Sequence, residues 1–372
     1  MMDKYIEKFN SQKIGTKILI ICLILVIIPT LVLGIVAYIT ASTAINDQLD
    51  SRLTTQVNDM RAMTSNSYDL SKDRLNGDLN LLRGRFVAYG TPSISGGKIT
   101  YGDQVVNDNF AVVDSIEADM GSKATVFQKI DNKAVRVSTN VIGADGKRAI
   151  GTSVSDAVYE AVINKGQTYY GTADVVGKKY AVVYEPIKNS AGDIIGILFV
   201  GVPEDEVYGP LKKEITTTKI GENGYLYVIN GKGDILIHPD PSMVGTNPDA
   251  PFAKEEIANK DKVTASVAKL DYNWGGKDAR AYYTYFPATD WIIIARVVPS
   301  DFSGPVDMLR NAIILILVIS IGIGAFVAIR FGKSIAQRME NLVNLGRRVK
   351  DGDLAGTAKD LGTRSQDSKI TD

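Results

Sequence analysis

Arg136 stands between Val135 and Val137 in the strand-like run from Ala134 to Thr139. Period-two alternation predicts that it shares a face with Ser138, opposite the two valines. A guanidinium there must reach water or an acceptor, because an unpaired buried charge costs several kcal/mol. Glu185 or Asp174 would serve as acceptors from within the chain, and a bound carboxylate would serve equally well. Tyr180 and Tyr184 share a strand face with Val182, and Tyr169 precedes them; each offers an apolar ring and a hydroxyl, suited to a core or to a ligand wall. Arg136, Ser138, Tyr169, Tyr180 and Tyr184 are therefore the candidate ligand-binding residues. Arg148, ahead of Gly151-Thr152, reads as a loop brace. Tyr225, Tyr227, Trp274, Tyr282, Tyr283 and Tyr285 with Arg280 make a second candidate set.

Other chemistry is excluded by inventory. Cys22 and His238 are the only residues of their kinds, so neither a Cys/His zinc site nor a Cys-His nucleophile pair can form. No G-x-S-x-G, P-loop or H-E-x-x-H motif occurs, and no catalytic residue, metal or cofactor is expected. Lys+Arg and Asp+Glu balance at 42 each, which argues against a nucleic-acid partner bound through a broad basic face.

The elements that must position these residues follow from periodicity. Ile45, Leu49, Leu53, Val57, Met60 and Met63 recur at three- and four-residue steps, and Leu75, Leu79 and Leu82 resume the pattern: a long amphipathic helix. Its stripe packs either on the domain that follows or on the same helix of a second subunit. Short β-rich runs come next. Ala124 to Ile130 and Ala134 to Thr139 flank one turn, and Tyr180 to Tyr184 and Ile194 to Val202 flank another, with helical spacing at Val154 to Ile163 between them. Tyr225 to Ile229 with Asp234 to Ile237, then Ala279 to Phe286 with Trp291 to Val298, repeat the order. Matched marks accompany the repeat: Gly151-Thr152 with Gly245-Thr246, Tyr184-Glu185-Pro186 with Tyr285-Phe286-Pro287, and Val202-Pro203 with Val298-Pro299. These point to tandem modules at 110–207 and 218–305, an α+β arrangement of antiparallel sheets with helices.

Two runs, 18–39 and 311–329, carry no charge and are long enough to cross a bilayer. Lys4, Lys8, Lys13 and Lys17 precede the first; Arg330, Lys333, Arg338, Arg347, Arg348 and Lys350 follow the second. Positive flanks lie inside, so 1–17 and 330–372 are expected to be cytoplasmic, with the helix and connector of 41–109 and both modules outside. A two-pass protein of the inner membrane, in contact with membrane lipid, is expected.

The residues Arg136-Val137-Ser138-Thr139-Asn140, Lys147-Arg148-Ala149-Ile150-Gly151-Thr152, Tyr184-Glu185-Pro186 and Gly196 to Val202, with Gly224-Tyr225-Leu226-Tyr227 and Ile237-His238-Pro239, resemble the Cache family of extracellular sensors. The resemblance implies two PAS-like Cache modules, the first distal to the membrane and the second proximal, and a small ligand such as a carboxylate or amino acid. After the second span, Ile335, Met339, Leu342, Leu345 and Val349 followed by Gly352-Asp353-Leu354 resemble the start of a HAMP linker, although Ser334 stands where such linkers usually carry proline. A receptor of the methyl-accepting chemotaxis type is implied. It would be a homodimer coupled to a cytoplasmic signalling module or kinase complex, and the chain reads as a fragment of it. The alternatives are the input region of a sensor histidine kinase and an anchored extracellular interaction protein.

Overall fold

A computed structural model describes Phe9, residues 11–12 and residues 14–350 except Val176. It divides into two compact units. Met1–Gln48 with Phe302–Asp372 is one, and Leu49–Asp301 is the other.

The first unit is a pair of helices, the opening part of α1 (Ile14–Val87) and α6 (Gly304–Lys350). Both are long and apolar enough to cross a membrane. Their large side chains face outward, with Leu25 at 68% and Phe326 at 67% exposure. The helices run antiparallel and meet at small residues: a Cβ on Gly34 would stand 2.5 Å from Ile313, and Gly324 faces Leu23 and Val26. Close approach at glycine is a common way for membrane helices to pack. Gly322 faces open space instead. Pro29 is accommodated inside α1, where the Thr30 hydroxyl donates to the Val26 carbonyl, 2.6 Å away. Ile335, Met339 and Leu342 are exposed on α6, while the Leu345 and Val349 side chains and Gly352-Asp353-Leu354 lie outside the described residues.

The second unit holds three sheets. β1 (Pro92–Ser95), β2 (Lys98–Tyr101) and β3 (Gln104–Val105) form a small meander missing from the sequence expectation. Its signal was available in Gly96-Gly97, both at positive φ in a two-residue turn that pairs Ser95 with Lys98. After α2 (Ala111–Met120) come β4 (Lys123–Ile130), β5 (Lys133–Thr139), the short α3 (Asp156–Tyr159), β6 (Tyr169–Val175), β7 (Lys178–Lys188) and β8 (Ile194–Pro203). They build an antiparallel sheet in the order β5-β4-β8-β7-β6. Past α4 (Glu204–Thr217) and β9 (Lys219–Ile220) the plan recurs. β10 (Gly224–Asn230), β11 (Ile235–Ile237), β12 (Ala268–Trp274), β13 (Lys277–Phe286) and β14 (Trp291–Val297) take the order β11-β10-β14-β13-β12, with α5 (Pro251–Asn259) before β12. The two sheets have one topology, as a tandem repeat requires.

The first sheet buries one face on α1 and α2 through Leu75, Leu79, Leu82, Phe86, Val113 and Ile116. Tyr208 of α4 packs on Trp291 at 4.9 Å and so links the sheets. Earlier on α1, Leu49, Leu53, Val57 and Met60 are buried within this single chain. That removes the basis for assigning this stripe to a second subunit. The stripe is anchored by Asp50, whose carboxylate accepts from Lys269 Nζ at 2.8 Å, from Arg280 at 3.2 Å and from the Tyr282 hydroxyl. Burial works against ionisation of Asp50, but Lys269 and Tyr282 outweigh it and hold the carboxyl below its usual range.

Because Asp50 is a third exposed, screening discounts each contact, yet Lys269 and Tyr282 lose an acceptor together while Arg280 keeps Asp271. Asp50→Ala is expected to destabilise the unit by about 2 kcal/mol. Thermal unfolding should show a fall of several degrees, and an unchanged Tm would mean the anchor carries no stability.

Candidate ligand-binding site

In the first sheet the register breaks once. Ser138 pairs with Val126 and Arg136 with Phe127, so β5 holds one extra residue, Val137, at a bulge. The consequence corrects the alternation argument. Arg136 joins Phe127 on the face bearing Tyr184, Phe199 and Ile197, whereas Ser138 turns to the helix-covered face and donates to the Asn109 carbonyl at 2.6 Å. Ser138 therefore does not share a site with Arg136. The backbone of Arg136 is latched from outside the hairpin: its N–H donates to Thr152 O and its carbonyl accepts from Gly151 N–H. Gly151 sits at φ 83°. Glycine adopts that conformation without strain.

The Arg136 guanidinium lies 5.1 Å from the Phe127 ring centroid, a cation–π distance. It donates to the Ala149 carbonyl at the long distance of 3.5 Å, and its Nε is buried without a partner. Burial lowers its pKa below the ordinary arginine value. Neither in-chain acceptor reaches it. Glu185 faces Arg83 at 3.4 Å, and Asp174 accepts from Gly177 N–H. Tyr184 does lie in electrostatic reach: burial pushes its hydroxyl up to about 12, against the opposing pull of Arg136. Tyr169 pairs with Tyr184 across the sheet, the ring centroids 6.1 Å apart. Tyr180 occupies the same face but four residues away, about 13 Å along the strand. It lines a cleft of about 710 Å³ with Lys179, Lys212, Lys232 and Trp291. The structure thus brings Arg136 within electrostatic reach of Tyr184, with Tyr169 packed against Tyr184 on the opposite edge strand, and leaves Ser138 and Tyr180 apart. Arg148 is the expected brace, with a bidentate grip on Asp114 at 2.6 and 2.9 Å and a hydrogen bond to Thr139 O.

The second sheet repeats the device. Val228 pairs with Ile237 and Ile229 with Ile235, so Leu236 is the bulged residue; Ile235 exchanges backbone hydrogen bonds with Thr246 and Gly245, the latter at φ 84°. Ile235 therefore takes the position of Arg136. Around it Tyr225, Tyr227, Phe252, Tyr272, Trp274, His238 and Arg296 line a half-open cavity of about 70 Å³. Two members of the sequence-based set are not there, because Arg280 and Tyr282 point to the opposite face and Asp50. Tyr283 and Tyr285 share the cavity's face but pack in its core. Phe252, Tyr272 and the acidic Glu256 were not anticipated; Gly275-Gly276, which turns β12 into β13, was the available mark of the strand carrying Tyr272. His238 is half-buried, its Nδ1 accepting from Asp240 N–H, and burial lowers its pKa. No cluster of His, Cys, Asp or Glu suited to a metal occurs among the described residues.

Residues 39–312 match the Cache 3/Cache 2 fusion domain. The chain belongs to this family. Among curated proteins it is 21% identical over 369 residues to the methyl-accepting chemotaxis protein TlpB of Bacillus subtilis (95% of this chain, 49% of that protein). It is 20% identical over 372 residues to McpA of the same organism (98% of this chain, 50% of that protein). The chain spans about half the length of these relatives. Among solved structures, the ligand-binding domain of the Campylobacter jejuni chemoreceptor Tlp3 in complex with L-valine superposes with a TM-score of 0.46 at 11% identity, covering 70% of this chain and 97% of that one. The extracellular domain of the putative histidine kinase mmHK1S-Z2 gives 0.43 at 11% identity, covering 70% and 99%.

Glu256 of α5 is fully buried, and neither carboxylate oxygen has a partner. Burial, reinforced by Glu255, pushes its pKa up to about 8. The unfolded value is about 4.3. A carboxyl whose folded pKa lies above its unfolded value contributes fully below the unfolded value and loses that contribution as pH rises through the folded one. Glu256→Gln is therefore expected to raise Tm by an increment that grows between about pH 4 and pH 8 and is constant above it. An increment independent of pH would show that Glu256 does not titrate there.

Proposed function

We propose that the chain is the sensing half of a two-pass membrane receptor of the chemotaxis type, with both modules outside the cell and the first module binding a small carboxylate-bearing metabolite. The observation that carries the ligand class is Arg136: a partly buried guanidinium, unpaired by any carboxylate among the described residues, within electrostatic reach of the Tyr184 hydroxyl. A carboxylate would supply the missing acceptors, and the aromatic face would exclude water from the contact.

Signalling then needs a differential interaction with two conformations. A ligand held by Arg136 acts on β5 and its Gly151-Thr152 latch. The reverse face of the same sheet is packed on Leu75, Leu79, Leu82 and Phe86 of α1. α1 runs unbroken from Ile14 to Val87, which supports a route from that face toward the first apolar run. The chemotaxis reading is supported by family membership and by the two curated relatives. The exposed seam of Ile335, Met339 and Leu342 supports dimerisation on the cytoplasmic side, where a HAMP linker would continue it.

Binding is tested with the full chain in lipid nanodiscs against a panel of small carboxylates and amino acids. A ligand should raise Tm in the wild type, and Arg136→Ala should remove that rise while leaving the ligand-free Tm within a few degrees. An undiminished rise in the variant would end the proposal. Topology is tested separately by cysteine substitution at Asn80 and at Asn344 in a Cys22→Ser background. An impermeant thiol reagent applied to intact cells should label only the first; equal labelling would contradict the orientation.

A further inference from the structure

We propose that the cleft where the two modules meet is a second binding site, for a hydroxylated organic dianion such as a sugar diacid. This cleft measures about 710 Å³ and lies within the single compact unit Leu49–Asp301. Sites for small organic molecules span roughly 300–1,000 Å³. The first module lends it Lys178 and Lys179 at the start of β7, and the second lends it Lys232 from the turn between β10 and β11. Tyr180, which stands apart from Arg136, belongs here: it is 7% exposed and, with the buried Trp291, gives the cleft an apolar wall.

The charges lining the cleft do not cancel. Asp205 is taken by Lys212 at 2.8 Å, and Asp290 accepts from Gly231 N–H at 3.0 Å and from the Tyr285 hydroxyl at 2.9 Å, with Lys260 3.6 Å away. The ammonium groups of Lys178, Lys179 and Lys232 make no hydrogen bond or ion pair among the described residues. Lys232 and Lys179 come from different modules yet converge. Both help to hold the Asp234 carboxyl below its usual range, behind the larger effect of hydrogen bonds from Asn230 and Asn247. Against these cations stands one acid, Glu204, which is 6% exposed and keeps one oxygen without a partner. The Thr289 hydroxyl, in the same lining, is also buried without a partner. A free ammonium is matched by an anionic group, and an unpaired carboxylate oxygen by a hydroxyl donor. Lysines from both modules therefore need a negative group at each end of the ligand, while Glu204 and Thr289 need hydroxyls on its body. An inorganic anion supplies the first and lacks the second. A ligand held at both ends would tie the two modules together beside the Tyr208–Trp291 contact that already links them.

Three probes share a six-carbon chain and separate the two requirements. Glucarate has both carboxylates and hydroxyls, adipate has the carboxylates alone, and sorbitol has the hydroxyls alone. With the full chain in nanodiscs at fixed ionic strength, glucarate should raise Tm, adipate should raise it less, and sorbitol and inorganic phosphate should not raise it. The double substitution Lys179→Gln with Lys232→Gln should raise the half-saturating glucarate concentration at least tenfold while leaving the ligand-free Tm in place. Glu204→Gln should remove the advantage of glucarate over adipate. Lys188→Gln, a lysine at the far end of β7, and Arg136→Ala should leave the glucarate response intact. The Arg136 variant separates this site from the carboxylate site of the first module, so either can fail without the other. No rise with glucarate, equal rises with glucarate and adipate, an undiminished response in the double lysine variant, or loss of the response in Arg136→Ala would overturn the proposal.

Discussion

In each of the two large sheets the strand at one end of the shared five-strand order carries one residue more than its partner, and a Gly-Thr pair returning from the following loop is bonded to the backbone just before it. This bulge and latch fix which side chains face the aromatic side of the sheet. In the first sheet they rotate Arg136 onto the aromatic face and send Ser138 to the helices; in the second they place Ile235 where Arg136 would be. A strand without the bulge would keep Arg136 on the helix-covered face with Ser138, opposite Gln128. The latch depends on Gly151 at φ 83° and Gly245 at φ 84°. Residues with a side chain rarely take that conformation.

The same architecture then supports opposite electrostatics. The first sheet holds a cation without a counterion, and the second holds a carboxylic acid without one. Each is a site where the fold alone leaves polar atoms unsatisfied, which native interiors tolerate rarely. Other charges are matched locally, Arg148 by Asp114, Arg280 by Asp271 and Asp50, Lys260 by Asp290, while buried Asp78 and Glu204 each keep one oxygen without a partner. Among the described residues Arg136 is the arginine with a buried, unpartnered nitrogen and Glu256 the carboxylate with both oxygens unpartnered, and that singles them out. It also assigns the tyrosines distinct work, since Tyr184 and Tyr272 lie beside unsatisfied charge while Tyr282 commits its hydroxyl to Asp50.

Much of this was legible in the sequence because it is local. Hairpins announced themselves through turn residues, the repeat through its paired Gly-Thr marks, and the membrane-type helices through uncharged length. What was not legible depends on counting or on distance. A single inserted residue reverses alternation, so Val137 defeated the inference that joined Ser138 to Arg136. Asp50 meets Arg280 from 230 positions away, and no periodicity carries that information. Glu256 reads in sequence as an ordinary solvated acid beside Glu255; only the packing of α5 on the sheet removes it from water. The apolar stripe of α1 was visible, whereas its in-chain burial came from the tertiary fold.

The central claim is that Arg136 is an uncommitted cation held for a ligand, and arginine-selective footprinting with phenylglyoxal tests it most directly. The full chain is modified in nanodiscs with and without a carboxylate that raises its Tm, and each arginine is followed by mass spectrometry. Arg136 should react in the free protein and be protected by the ligand, while Arg148, already clamped by Asp114, should be unaffected by it. Equal modification of Arg136 in the free and ligand-bound protein would contradict the assignment.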